Sequence, residues 1–156
     1  MASKFEKSQG TKVNISKLPV SVLGETTDAD FVGLSCSVKS VSLNRGEKTD
    51  IDITTLCSTE QESTPGLPAP GELTLDSNFS GDDLGQKTLE DSYNNSTVHE
   101  YKVELPSGHG WRFLGEVRTA PIEIGSNAVA TSNYTVRIRG SIQRITPQAP
   151  ITKVSK

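Results

Sequence analysis

Along most of the chain apolar and polar residues alternate one by one, the period of strands with one buried face. Ile51, Ile53 and Thr55 alternate with Asp50, Asp52 and Thr54, and Leu73, Leu75 and Phe79 with Glu72, Thr74, Asp76 and Asn78. A short strand is expected over 12–15 and a longer one over 31–43. In the longer one the apolar set shifts from Val32, Leu34, Cys36 and Val38 to Val41 and Leu43, which predicts a bulge near Lys39 and Ser40. Tyr101, Val103 and Leu105 mark another strand. Trp111 and Phe113 open the next, whose parity changes before Ala120, Ile122 and Ile124, placing a second bulge at Leu114-Gly115. The last alternation, from Ala128 through Tyr134, Val136 and Ile138 to Ile142, predicts a strand of about 15 residues, well above the usual length.

Only over 82–93 does the spacing become helical. Ser80 or Asp82 can cap this segment, Asp82 and Asp83 suit its positive end, and Leu84, Leu89 and Tyr93 are expected to pack on the sheet. Asn44-Arg45-Gly46-Glu47 reads as a tight turn. The connection between the strands over 48–55 and 72–79 is polar, about 15 residues long, and ends in the Pro/Gly-rich run from Pro65 to Gly71. A loop of that length in a compact fold usually touches another molecule. Its candidate contact residues are Cys57, Ser58, Glu60, Gln61, Glu62, Pro65, Gly66 and Leu67.

The 156 residues are expected to form one domain, with a flexible arm at 1–10 and a tail at 146–156. A hydrophobic content of 33% and an aromatic content of 5% predict a thin β structure or one that completes its burial through partners. Charge is unevenly spread. Residues 47–104 hold 13 Asp/Glu against 3 Lys/Arg, and residues 105–156 hold 7 Lys/Arg against 2 Asp/Glu. Such a division is a solvated face, an acidic and a basic surface that meet between subunits, or a face that repels a polyanion. No apolar run is long enough for a membrane span or a secretory signal. Cys36 reads as a small buried hydrophobe and Cys57 has no metal-site partner, so folding in a reducing cytoplasm without a disulfide is expected.

Convergent catalytic groups are sparse. His99, at a strand start, and His109, in a Ser-Gly-His-Gly turn, read as solvent-exposed polar residues, and neither makes a zinc pattern with the cysteines. Asp50 with Asp52 and Asp82 with Asp83 are explained by a polar strand face and a helix cap. Arg137 and Arg139 share a face with no aromatic residue on which bases would stack. The reading is of a non-enzyme with no cofactor and no metal.

The order of parts resembles the major tail tube proteins of lambda-like, long non-contractile-tailed bacteriophages. The resemblance spans residues 10–145. It rests on Gly10-Thr11-Lys12-Val13, Ser42-Leu43-Asn44-Arg45 leading to Asp50-Ile51-Asp52-Ile53, Pro65-Gly66-Leu67, and Pro70-Gly71-Glu72-Leu73-Thr74-Leu75. Asn78-Phe79, Leu105-Pro106-Ser107-Gly108 and Gly110-Trp111-Arg112-Phe113-Leu114-Gly115 complete it. The resemblance implies a mainly β, sandwich or barrel-like fold with one flanking helix, a structural role in the virion, and hexameric rings stacked around a lumen. That lumen would conduct DNA and hold the tape-measure protein. It also implies assembly in the host cytoplasm with tail initiator and terminator proteins, and a long loop that reaches an adjacent ring. A negative lumen would let DNA slide, and Asp50 and Asp52 are the lumen-facing candidates. Some relatives carry an immunoglobulin-like C-terminal domain, for which no segment is expected here. The alternative is a non-catalytic β-sandwich binding module of carbohydrate or adhesin type, which would present clustered exposed aromatics.

Overall fold

A computed structural model describes residues 9–24, 30–34, 37–126 and 128–146. The expected arm at 1–10 and tail at 146–156 therefore lie almost wholly outside the described residues, as does Cys36. In chain order the elements are β1 (Lys12–Ser16), β2 (Phe31–Gly33), β3 (Val38–Asn44), β4 (Asp50–Asp52), β5 (Ser63–Pro65), β6 (Glu72–Asn78), α1 (Leu84–Asn95), β7 (Val98–Glu104), β8 (Gly110–Thr119), β9 (Ile122–Glu123) and β10 (Thr131–Ile145).

The main sheet runs β2-β1-β7-β8-β10-β6-β3, with β9 added to β10, and all its pairings are antiparallel. Its first and last strands are consecutive in the chain. The main chain passes from Gly33 to Val38, held by Leu34 N–H on Val13 O and by Asn78 N–H on Ser37 O. Among the described residues the two end strands do not pair with each other, so the sheet is open, with its ends brought near each other by so short a link. The segment read as one strand over 31–43 is thus two, because it crosses from one sheet end to the other. The bulge near Lys39 and Ser40 is present as a register shift between Val38 and Ser40.

The concave face holds the core. Val13, Ile15, Leu73, Leu75, Tyr101, Val103, Phe113, Val117, Tyr134, Val136 and Ile138 are all buried there, with Tyr101 and Phe113 stacked at 5.8 Å. Ser77 and Ser132 continue the same face, joined by a hydrogen bond from Ser77 Oγ to Ser132 O at 2.9 Å. Helix α1 begins at an Asp83 cap, whose Oδ1 accepts from Gly85 N, and ends at Ser96 in the left-handed region. Gln86 clamps the helix to the end of β6, accepting from Ser80 N–H and donating to Asn78 O. Of the three residues expected to pack on the sheet, Leu89 is buried, but Leu84 and Tyr93 are 63% and 49% exposed. The face turned to the core carries Gly85, Gln86, Leu89 and Ser92 instead. Leu34 lies so close to Gly85 that a side chain there would collide with it.

Two further expectations change. The register across Leu114 and Gly115 is regular on β7. The irregularity on β8 falls at Arg118, skipped between Val117 and Thr119 opposite β10. The parity change read before Ala120 is real, but it sits a few residues later and is followed by a break at Ala120-Pro121. Strand β10 has the expected 15 residues, interrupted in its pairing where Gly140 adopts φ +78°.

Candidate assembly interface

Strands β3 and β6 are neighbours, with Asn44 opposite Glu72, yet the chain between them leaves the sheet and returns. Residues 45–71 form a protruding two-stranded ribbon. Its ladder runs from Ala69 N–H on Glu47 O, through Gly66 N–H on Thr49 O and the β4–β5 pairs, to Ile53 N–H on Glu62 O. At about 3.3 Å per residue, the nine steps from Glu47 to Leu56 carry the tip roughly 30 Å from its base. At that base Gly46 has φ +85° and its N–H donates to Asn44 Oδ1, which turns the chain out of the sheet. The tip is closed by side chains: Thr55 N–H donates to Ser58 Oγ, Ser58 Oγ to Glu62 Oε2, and Glu62 N–H to Thr54 Oγ1.

The expectation that Ile51 and Ile53 face a core is corrected here. They are 53% and 48% exposed, because β4 pairs only with β5 and lies off the main sheet. The register gives the ribbon two faces. Asp50 and Asp52 share one with Ser63 and Pro65, whereas Ile51, Thr64, Ile53 and Glu62 share the other. Hydrogen bonds from the Thr54 hydroxyl and N–H hold the Asp52 carboxyl below its ordinary pKa. Leu56 is fully exposed at the tip, beside exposed Cys57. The candidate contact residues Cys57, Ser58, Glu60, Gln61, Glu62, Pro65, Gly66 and Leu67 all sit on this ribbon, and most are exposed. Sequence reasoning missed Ile51 and Ile53, whose alternation with Asp is indistinguishable from that of a half-buried strand, and Leu56 at the tip.

The convex face of the sheet is polar and charged. Arg139 and Arg118 both bond Glu116, the latter at 2.9 Å, and Arg112 reaches Glu100 at 3.0 Å. Burial opposes ionisation of Glu116, but the hydrogen bonds and charges of Arg118 and Arg139 outweigh it and hold its pKa below the ordinary value. Glu100 is completely buried, although it belongs to the polar set of its strand. The connection after β1 covers it: Val20 N–H continues along β7 to Val98 O, and Gly24 N–H reaches Glu100 Oε1 at 2.6 Å. His99 is buried too, contrary to expectation. Its Nδ1 lies 2.9 Å from Ser16 O and its Nε2 3.0 Å from the Thr97 hydroxyl. His109 is half-buried. Among the described residues no three His, Cys, Asp or Glu side chains converge as metal ligands, and no helix is long and apolar enough to cross a membrane.

The family described as lambda-like phage tail tube protein matches residues 4–110, more than half of the chain. The chain belongs to this family. Its fold is also that of solved tail assemblies. A chain from the tail of an empty gene transfer agent particle, refined helically with C6 symmetry, aligns with a TM-score of 0.68 at 12% identity, over 92% of this chain and 100% of that one. The SPP1 tail tube aligns with a TM-score of 0.66 at 13% identity, over 97% and 87%. The tube-terminating cap of the anti-feeding prophage gives 0.62 at 14%, over 92% and 94%. No curated protein matched the sequence. This tail tube protein is therefore a structural component of a phage virion, with the mainly β fold the sequence predicts.

Proposed function

We propose that the chain forms hexameric rings that stack into a tube, with the ribbon at 45–71 reaching from each ring to the next. The observation that carries this reading is the ribbon itself, which lies off the main sheet with Ile51 and Ile53 about half exposed on one face and Leu56 fully exposed at its tip. A gene transfer agent tail of the same fold, refined with C6 symmetry, supports the six-fold ring. The lumen conducts DNA and holds the tape-measure protein, the tube is completed by initiator and terminator proteins, and assembly takes place in the host cytoplasm. Asp50 and Asp52 are the lumen-facing candidates. They occupy the ribbon face opposite Ile51 and Ile53, so docking of the apolar face leaves the carboxylates free. The chain acts by self-assembly and not by catalysis.

The test replaces Ile53 to Glu62 with Asn-Gly. Asp52 and Ser63 are directly paired, so a two-residue turn closes the shortened hairpin. Purified wild-type protein is expected to give tubes with a central channel by negative-stain electron microscopy. The shortened chain is expected to keep its circular dichroism spectrum and melting temperature but form no tubes. Normal tubes from it would rule the ribbon out as the stacking element.

A further inference from the structure

Where the ribbon returns to the sheet, its base and the far half of β10 enclose a groove of about 880 Å³. The lining combines apolar Leu67, Ile138 and Ile142 with four cations, Arg45, Lys48, Arg137 and Arg139, and contains no carboxylate. Among the described residues Arg45, Lys48 and Arg137 form no ion pair. Glu72 lies opposite Arg137 in register without bonding it, and Arg139 is shared with Glu116 on the convex face. These four exposed cations beside an apolar floor make a surface complementary to an anionic, partly apolar partner.

The ribbon has that complementary character. Residues 50–64 hold four carboxylates and no Lys or Arg, and Glu62 shares a face with Ile51 and Ile53. Its own groove is out of reach, since the hydrogen-bonded ladder holds the tip roughly 30 Å from the base. Only a second copy can supply the tip. We infer that the groove at the ribbon base of one subunit receives the Ile51/Ile53 face and the Glu60–Glu62 tip of another, with Arg45 and Lys48 facing Glu60 and Glu62. This rests on the self-assembly reading above and names the receiving surface. Donor and acceptor surfaces differ, so the contact is head-to-tail, the kind of contact that can repeat along an axis as a stacked tube requires.

Charge exchange tests it. Arg45→Glu with Lys48→Glu, and separately Glu60→Lys with Glu62→Lys, place like charges across the contact. Each pair is expected to lower the sedimentable polymer about tenfold at low salt. All four substitutions in one chain restore opposite charges and are expected to return most of it. Circular dichroism melting of each variant separates misassembly from misfolding. In wild-type polymer made from mixed isotope-labelled chains, zero-length carbodiimide coupling is expected to join Lys48 of one chain to Glu60 or Glu62 of another. Tubes that form equally well with either charge pair reversed, or a four-fold variant that folds but assembles no better than its parents, would overturn the groove and leave the tube reading standing. A wild-type chain that forms no polymer and no such cross-link would overturn both.

Discussion

At the scale of single residues, burial in this molecule is decided by what lies over a side chain as much as by its strand parity. Glu100 occupies a convex, polar position on β7, yet the connection after β1 crosses it and brings Gly24 N–H to its carboxylate, while Arg112 supplies the countercharge. His99 is enclosed from the other side. The carbonyl of Ser16 can only accept, so Nδ1 carries the proton and Nε2 accepts from the Thr97 hydroxyl. Burial lowers the His99 pKa from its ordinary value near 6.5, against the raising effects of Ser16 and the Asp91 charge. The sign follows from linkage: the unfolded chain takes up the proton first as pH falls, so the neutral imidazole's contribution is complete above about pH 6.5 and is lost on acidification through the lower folded pKa. The melting temperature should therefore fall between pH 7 and pH 5.5, and His99→Gln should flatten that slope. An unchanged slope in the variant would place the acid sensitivity elsewhere.

At the scale of elements, the ribbon depends on the geometry of its base. Gly46 combines a φ of +85° with no room for a side chain, since a Cβ there would run into the Ala69 carbonyl. Gly46→Val should redirect or loosen the ribbon while leaving the remote core intact. The expected result is a melting temperature close to wild type, faster amide exchange over 47–69 and loss of polymer. A tube of normal yield would show that ribbon direction is not critical. The same elements show what alternation can and cannot convey. Strands β1, β6, β7, β8 and β10, the existence of the helix and the bulge at Val38–Ser40 were legible, because a core face imposes period 2; the cap is Asp83 and not Ser80 or Asp82, so the helix starts at Leu84, two residues later than expected. The ribbon was legible as a long connection but not as a hairpin. Asp50-Ile51-Asp52-Ile53 has the pattern of a strand against a core, and the exposed face of a ribbon that lies off the sheet writes the same pattern. The exposure of Leu84 and Tyr93 has a related origin. Gly85 and Gln86 take the contact positions on α1, one for close approach to Leu34 and one for hydrogen bonds, and neither registers as apolar. The basic groove was out of reach, since Arg45 and Lys48 meet Arg137 and Arg139 only through the topology.

At the scale of the whole molecule, the uneven charge of the sequence becomes a spatial division: an acidic ribbon extends from the fold, and basic side chains gather where that ribbon is rooted. Two forces then act on assembly with different reach. Opposite charges attract over about 10 Å at 0.1 M salt but only about 3 Å at 1 M, so they speed and orient encounter when salt is low. Each exposed pair adds only about 0–1 kcal/mol once contact is made. Burial of Ile51, Ile53 and Leu56 is not screened, and salting-out anions strengthen it. Salt should thus slow growth without dissolving what has grown. Light scattering from monomer is expected to rise more slowly in 1 M sodium chloride than in 50 mM, whereas preformed tubes transferred to 1 M salt keep their length by electron microscopy. Tubes that fall apart on transfer would mean that ion pairs, and not the apolar ribbon face, hold the rings together.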